Sequence, residues 1–266
     1  MKLPDLQSDL ELALRAARAA AEVIRPAFRA DMEVRYKDPD QPVTDADVEA
    51  DRVIREVLIG GRPEYGWLSE ETADSPERLG RERLWVVDPI DGTNSFVKGI
   101  AEFAVSIGLV EEDRAVLGVV CNPATGEVYH AFEGGGAWLN GAPIHVSERE
   151  GMPRLLCSRS ELRRGEMGGF AESCTMQPLG STAYKMVKVA EGMGDAFVSF
   201  GPKHEWDVCG AEVIVREAGG RVTGLDGEPF RYNQASPSWR GVAASNGRVH
   251  HAVLAAARVA AERPMR

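Results

Sequence analysis

The chain has 266 residues, 44% hydrophobic and 27% charged, with a formal net charge of −10. That length suits one compact unit of two lobes with a sizeable core, and the acidic balance disfavours nucleic-acid polymers and anionic membranes as partners. No apolar run approaches the roughly 20 residues that span a bilayer, and Met1 to Leu14 lacks a basic-then-apolar signal pattern, so a cytoplasmic protein is expected.

Apolar residues at Leu10, Leu14, Ala17, Ala21 and Ile24 predict a helix over Asp9 to Phe28. A strand over Val34 to Lys37 and a loop containing Pro39 and Pro42 are expected next. Thr44, with an acid three positions on at Asp47, opens a second helix in capping-box style. Leu84 to Val87 reads as a buried strand ending at Asp88-Pro89. Strand candidates then recur at Phe103–Val110, Ala115–Cys121, Glu127–Phe132 and Trp138-Leu139, separated by turn residues, which predicts an antiparallel meander. Past residue 150 the pattern becomes a strand at Arg154–Cys157, a helix over Ser181–Glu191, a strand at Ala196–Phe200, and a helix over Trp206–Ala218 stopped by Gly219-Gly220. The expected organisation is an α+β lobe over residues 1–150 and an α/β lobe over 151–266. Cys121, Cys157, Cys174 and Cys209 are scattered with no Cys-x-x-Cys pair, which argues for buried free thiols over a zinc site or a disulfide scaffold. The five histidines show no metal-ligand spacing. Gly134-Gly135-Gly136 lies between strands and is no dinucleotide fingerprint.

The chemistry concentrates in Asp88-Pro89-Ile90-Asp91-Gly92-Thr93. Pro89 holds Asp88 extended, and Gly92-Thr93 can turn the chain and present backbone N–H groups. Two carboxylates and the carbonyls between them can then converge on one hard cation, for which oxygen ligands suit magnesium. Glu70-Glu71 could be a solvated loop, and Asp45, Asp47 and Asp207 could each be a helix cap. In combination these segments resemble the inositol monophosphatase superfamily of lithium-sensitive phosphatases. Glu70-Glu71, Asp88 to Thr93 and Trp206-Asp207 occur in the family's order, and Lys37, Val43 to Asp47 and Phe103 to Ile107 extend the likeness along nearly the whole chain.

The resemblance implies a layered αβαβα sandwich, with an antiparallel sheet in the first lobe and a mixed sheet in the second. It implies metal ligation by Glu70, Asp88, Asp91, Asp207 and the Ile90 carbonyl, with two or three Mg2+ per site. Thr93, with Glu70 and Asp47, would orient and activate the attacking water. Asp91 and the Gly92 and Thr93 amides would face the phosphate, and a homodimer is the expected association. Ser158-Arg159-Ser160, Glu102-Phe103, Gly180-Ser181 and Arg231-Tyr232-Asn233 resemble the CysQ-like branch, which removes the 3′-phosphate of 3′(2′),5′-bisphosphate nucleotides. On that reading Ser158, Arg159 and Lys185 receive a second phosphate, for which Arg is suited by its fork of donors. Inositol 1-phosphate or fructose 1,6-bisphosphate is the alternative substrate. A haloacid-dehalogenase-type phosphatase spaces its two aspartates by one intervening residue, against two here. A metal- or nucleotide-binding module without activity would be expected to lack a ligand, and none is missing.

Overall fold

The computed structural model describes residues 5–30, 33–38 and 41–262; Met1 to Pro4 of the N-terminal reading, and Pro39 of the expected loop, lie outside them. In chain order the elements are α1 (Leu6–Ala27), β1 (Val34–Asp38), β2 (Gln41–Thr44), α2 (Asp45–Gly61), β3 (Gly66–Ser69), β4 (Arg83–Asp91) and α3 (Thr93–Val97). The meander follows as β5 (Ala104–Glu111), β6 (Arg114–Asn122), β7 (Glu127–Phe132), β8 (Ala137–Leu139) and β9 (Ala142–Pro143). The remainder is β10 (Arg154–Cys157), α4 (Arg159–Arg163), β11 (Thr175–Pro178), α5 (Thr182–Ala190), β12 (Ala196–His204), α6 (Glu205–Glu217), β13 (Arg221–Thr223), β14 (Ser238–Ser245) and α7 (His250–Glu262).

Strands β3 to β9 lie side by side in sequence order in one sheet, and a second sheet runs β11-β10-β12-β14-β13. The central strands of both sheets bury both faces, so alternate residues feed different cores. Trp85, Val87, Ile107 and Leu117 face α1 and α2, whereas Leu84, Val86 and Val120 share a core with α5, α6 and the second sheet. In that second sheet Leu156, Phe197 and Ala244 face α5 and α6, while Leu155, Val198 and Ala243 pack on α7. The layers are therefore α, β, α, β, α, as the resemblance implied. Helix α6 approaches the first sheet so closely that a Cβ on Gly118 would lie 1.9 Å from the Gly210 carbonyl oxygen. Glycine at both positions sets the depth of the helix that carries Asp207.

Four expectations need correction. The first sheet is not wholly antiparallel: β3 runs parallel to β4, because the connection from Ser69 to Arg83, with a 3-10 turn at Pro76–Gly80, is long enough to cross back. Pro42 lies in β2, opposite Tyr36 of β1, in a two-stranded ribbon where a missing N–H is tolerated. Asp88-Pro89 does not end its strand, since β4 continues to Asp91. Finally, beyond Gly220, where no element is expected from the sequence, β13, β14 and the alanine-rich α7 complete the second sheet and its outer layer. All four cysteines are free and buried. Among the described residues no helix is long and apolar enough to cross a membrane.

Candidate active site

The site begins with an irregularity in β4. Asp88 pairs with Ser106 and Asp91 with Ala104, so three steps along β4 match two along β5, the mark of a bulge. The bulge has a chemical consequence. Residues three apart on a regular strand point to opposite faces; the extra residue brings both carboxylates to one side. Pro89, which has no N–H to pair, occupies the interrupted ladder. Gly92 then turns the chain at φ +95° and caps α3. There a Cβ would meet the Glu102 carbonyl oxygen and the Ser181 side chain, each at 3.0 Å, so glycine is required on two counts.

Asp207 arrives from the first turn of α6, and its carboxylate accepts the His204 N–H at 2.8 Å. Carboxylate oxygens of Asp88, Asp91 and Asp207 all lie within 4.8 Å of one another. Glu70 follows β3, with its N–H donating to the Val87 carbonyl at 3.2 Å, and its negative charge acts directly on Asp88. Asp47 sits in the first turn of α2. One of its oxygens accepts the Thr44 N–H (2.7 Å) and hydroxyl (2.6 Å), and the other lies 3.2 Å from the Thr93 hydroxyl. The Thr93 hydroxyl is also 2.9 Å from the Ile90 carbonyl oxygen. Asp47 and Asp207 are thus caps and site residues at once.

The charges in this cluster oppose one another. Burial, with the negative charges of Glu70, Asp91, Asp207 and Asp47, drives the Asp88 carboxyl well above the ordinary carboxylate range. Burial and Asp207 raise Asp91 to about 6, against the pull of the Ser181 hydroxyl, the Ala183 N–H and the Lys185 cation. Two carboxylates 4.8 Å apart repel by about 3 kcal/mol at an effective dielectric constant near 20. Asp88 Oδ1 is buried without a hydrogen-bond partner among the described residues. An all-oxygen set with mutual repulsion and an orphaned oxygen is what a hard divalent cation relieves, so the residues fit a metal.

The second lobe contributes the wall beside Asp91. Asp91 accepts the Ser181 hydroxyl and the Ala183 N–H, both at 2.5 Å, at the start of α5. Ser181 also caps that helix by accepting the Tyr184 N–H. In the sequence Ser181 carries the branch resemblance and starts the predicted helix, but no local signal marks its bond to Asp91. Lys185 is buried above the Phe197 ring, with its ammonium 3.3 Å from the Ser158 hydroxyl and 3.4 Å from the Leu179 carbonyl. Burial lowers its pKa to about 8 against the raising influence of Asp91 and Glu161. Arg159 opens α4 and forks onto both oxygens of Glu102 (Nη2 to Oε1, 2.8 Å; Nη1 to Oε2). Glu102 in turn accepts the Gly180 N–H at 2.7 Å. The acid cluster, the Asp47–Thr93 pair and the Ser158–Lys185 pair therefore share one neighbourhood, with Arg159 held at its edge.

The fold and a site whose acids fit a metal are those of a phosphoric monoester hydrolase family. The inositol monophosphatase family model matches residues 5–263, and the chain belongs to that family. Among its relatives, an inositol-1-monophosphatase of Mesorhizobium japonicum is 35% identical over 235 residues, 85% of this chain and 86% of its own. A 3′(2′),5′-bisphosphate nucleotidase CysQ of Aggregatibacter actinomycetemcomitans is 28% identical over 235 residues, 85% of this chain and 87% of its own. The solved structure of an IMPase from Thermotoga maritima superposes with a TM-score of 0.84 at 30% identity, covering 95% of this chain and 98% of that one.

Proposed function

We propose that the chain is a Mg2+-dependent phosphatase that removes the 3′-phosphate of a 3′(2′),5′-bisphosphate nucleotide such as adenosine 3′,5′-bisphosphate. The observation that carries the metal-dependent part is the Asp88–Asp91–Asp207 cluster with its orphaned Asp88 oxygen. Asp88, Asp91, Asp207, Glu70 and the Ile90 carbonyl would hold the metal, two or three ions in all. When bound, Mg2+ supplies Lewis acidity and lowers the pKa of a coordinated water. The Thr93 hydroxyl, polarised by Asp47, orients the attacking water and passes its proton toward that carboxylate. The Gly92 and Thr93 amides hold phosphate oxygens at the turn into α3, and the wall of Ser181 and Ala183 keeps Asp91 in place. Positioning and electrostatics supply the acceleration, as phosphoryl transfer demands.

The nucleotide rests on Ser158, Arg159 and Lys185. Lys185 is too deeply buried to leave its pocket, so it acts on a second phosphate through Ser158. Arg159 would exchange the Glu102 carboxylate for phosphate, a swap between two fork-shaped acceptors. A second reading, inositol 1-phosphate, is favoured by one contact: the Glu102 fork leaves Arg159 already satisfied. Sensitivity to lithium, a homodimer and a cytoplasmic location belong to the same proposal. The test is phosphate release with Mg2+ from adenosine 3′,5′-bisphosphate, inositol 1-phosphate and fructose 1,6-bisphosphate. Preference for the nucleotide, lost in Arg159→Met, upholds the reading. Preference for the cyclitol transfers the same mechanism to the second.

A further inference from the structure

The metal-binding acids come from segments far apart in the chain, and something must hold them in common register. For Glu70 and Asp88 the first sheet does this, since Ser69 pairs with Val87. The loop after Glu70 is further tied to α2, where Asp51 accepts the hydroxyls of Ser69 and Thr72 (2.5 Å for Thr72). Asp207 belongs to α6, which must be set against that loop. A guanidinium spans the gap. Arg78, in the 3-10 turn and only 3% exposed, forks onto Asp74 through Nε (2.6 Å) and Nη2 (2.9 Å). Its remaining donors cross to the C-terminal part of the chain: Nη1 to Asn233 Oδ1 at 2.9 Å and Nη2 to the Gln234 carbonyl at 2.8 Å. The N–H groups of Asn233 and Gln234 then donate to the two oxygens of Glu205, both at 2.9 Å. Glu205 is fully buried and is the first residue of α6, two before Asp207. Asn233 adopts φ +56° to make the turn, a conformation asparagine accepts more readily than most residues.

We propose that Arg78 is a positioning residue that couples the Glu70 segment to the helix carrying Asp207, through Asn233, Gln234 and Glu205, and thereby sets the affinity of the acid cluster for its metal. Charge neutralisation of Asp74 alone would not require a fork reaching residues 155 and 156 positions along the chain. The Arg231-Tyr232-Asn233 segment acquires a role here that does not depend on which substrate the enzyme takes. The inference rests on the metal-dependent part of the proposed function.

The test is Mn2+ binding to the full chain, read by loss of the free-ion signal in electron paramagnetic resonance, without substrate. Arg78→Met is expected to weaken binding about tenfold, the lower end of what residues supporting metal ligands contribute. In turnover, Arg78→Met needs more Mg2+ to reach its maximal rate, while KM for the phosphate ester stays near the parent value. Arg78→Lys keeps the charge but not the fork, so it does not recover affinity. If Arg78→Met does not fold, Asn233→Gly removes both bonds between the Asn233 side chain and Arg78, permits the positive φ, and leaves the Arg78–Asp74 pair; it moves Mn2+ affinity in the same direction. Variants that melt earlier yet bind Mn2+ like the parent overturn the proposal, as does full recovery by lysine. A parent chain that binds no Mn2+ removes the metal reading and this inference with it. One that binds Mn2+ but releases no phosphate leaves the coupling standing and sinks only the function.

Discussion

Replacing Asp91 by asparagine separates the site's chemistry from its stability. In the metal-free protein the folded Asp91 carboxyl titrates at about 6, against an ordinary 3.8, because it is buried beside Asp207. The proton is held more tightly in the folded chain than in the unfolded one. Ionisation therefore costs the fold nothing below pH 3.8, costs progressively more between 3.8 and about 6, and carries its full penalty above that. At 1.36 kcal/mol per pH unit the full penalty is about 3 kcal/mol. Asparagine does not titrate, its carbonyl can still accept from Ser181 and Ala183, and its volume is nearly the same. In EDTA at pH 7.5, Asp91→Asn is expected to melt about 5 °C above the parent, a gap that closes as pH falls toward 4. Adding Mg2+ closes most of the gap at a hundredfold excess over Kd, where the parent gains about 2.7 kcal/mol, and reverses the order at a thousandfold excess, where it gains about 4.1 kcal/mol and the variant far less. Phosphate release by the variant falls to background. Calorimetry with and without Mg2+ at several pH values, beside a turnover assay, checks each step. A variant less stable than the parent in EDTA at pH 7.5, or one with near-normal turnover, would refute the argument.

Thr93→Val removes the hydroxyl between Asp47 and the Ile90 carbonyl; kcat should fall about a hundredfold with little change in KM, and Thr93→Ser should restore most of it. Asp47→Ala should show a similar loss of kcat and also cost about 1 kcal/mol in urea unfolding, because the same carboxylate caps α2. Gly118→Ala sets a Cβ 1.9 Å from the Gly210 carbonyl oxygen, so α6 must shift away from the sheet. A loss of about 3 kcal/mol or more, with a parallel loss of activity as Asp207 moves, is expected from thermal melts and turnover.

Much of the site was readable because its parts are local. A capping threonine followed by Asp47, a strand running into Asp88-Pro89, a glycine after Asp91, and an acid in the first turn of a late helix each leave a mark within a few residues. The outline of the fold was readable for a similar reason: the meander from β5 to β8 has a turn signal between each pair of strands. Elements with weaker punctuation, such as β14 and the alanine-rich α7, escaped, since their burial depends on what packs over them. Arg159 shows the limit well. Its residue type and neighbours pointed to an anion, but the anion beside it in the fold is Glu102, 57 residues away in the chain.

The sequence by itself determined which residues bear chemistry and which local geometry each can adopt, because backbone preferences and capping act over three or four residues. It also determined the order in which the acidic segments occur, which carries the family resemblance. Only the tertiary structure decided that these acids meet. The register shift in β4 turns Asp88 and Asp91 to one side, the glycine contact beneath α6 brings Asp207 to them, and Ser181 closes the wall from a segment 90 residues beyond Asp91. Those are relations between strands, helices and sheets, and the forces that set them, close packing and satisfaction of buried polar groups, operate between parts of the chain whose sequence separation carries no trace of the contact.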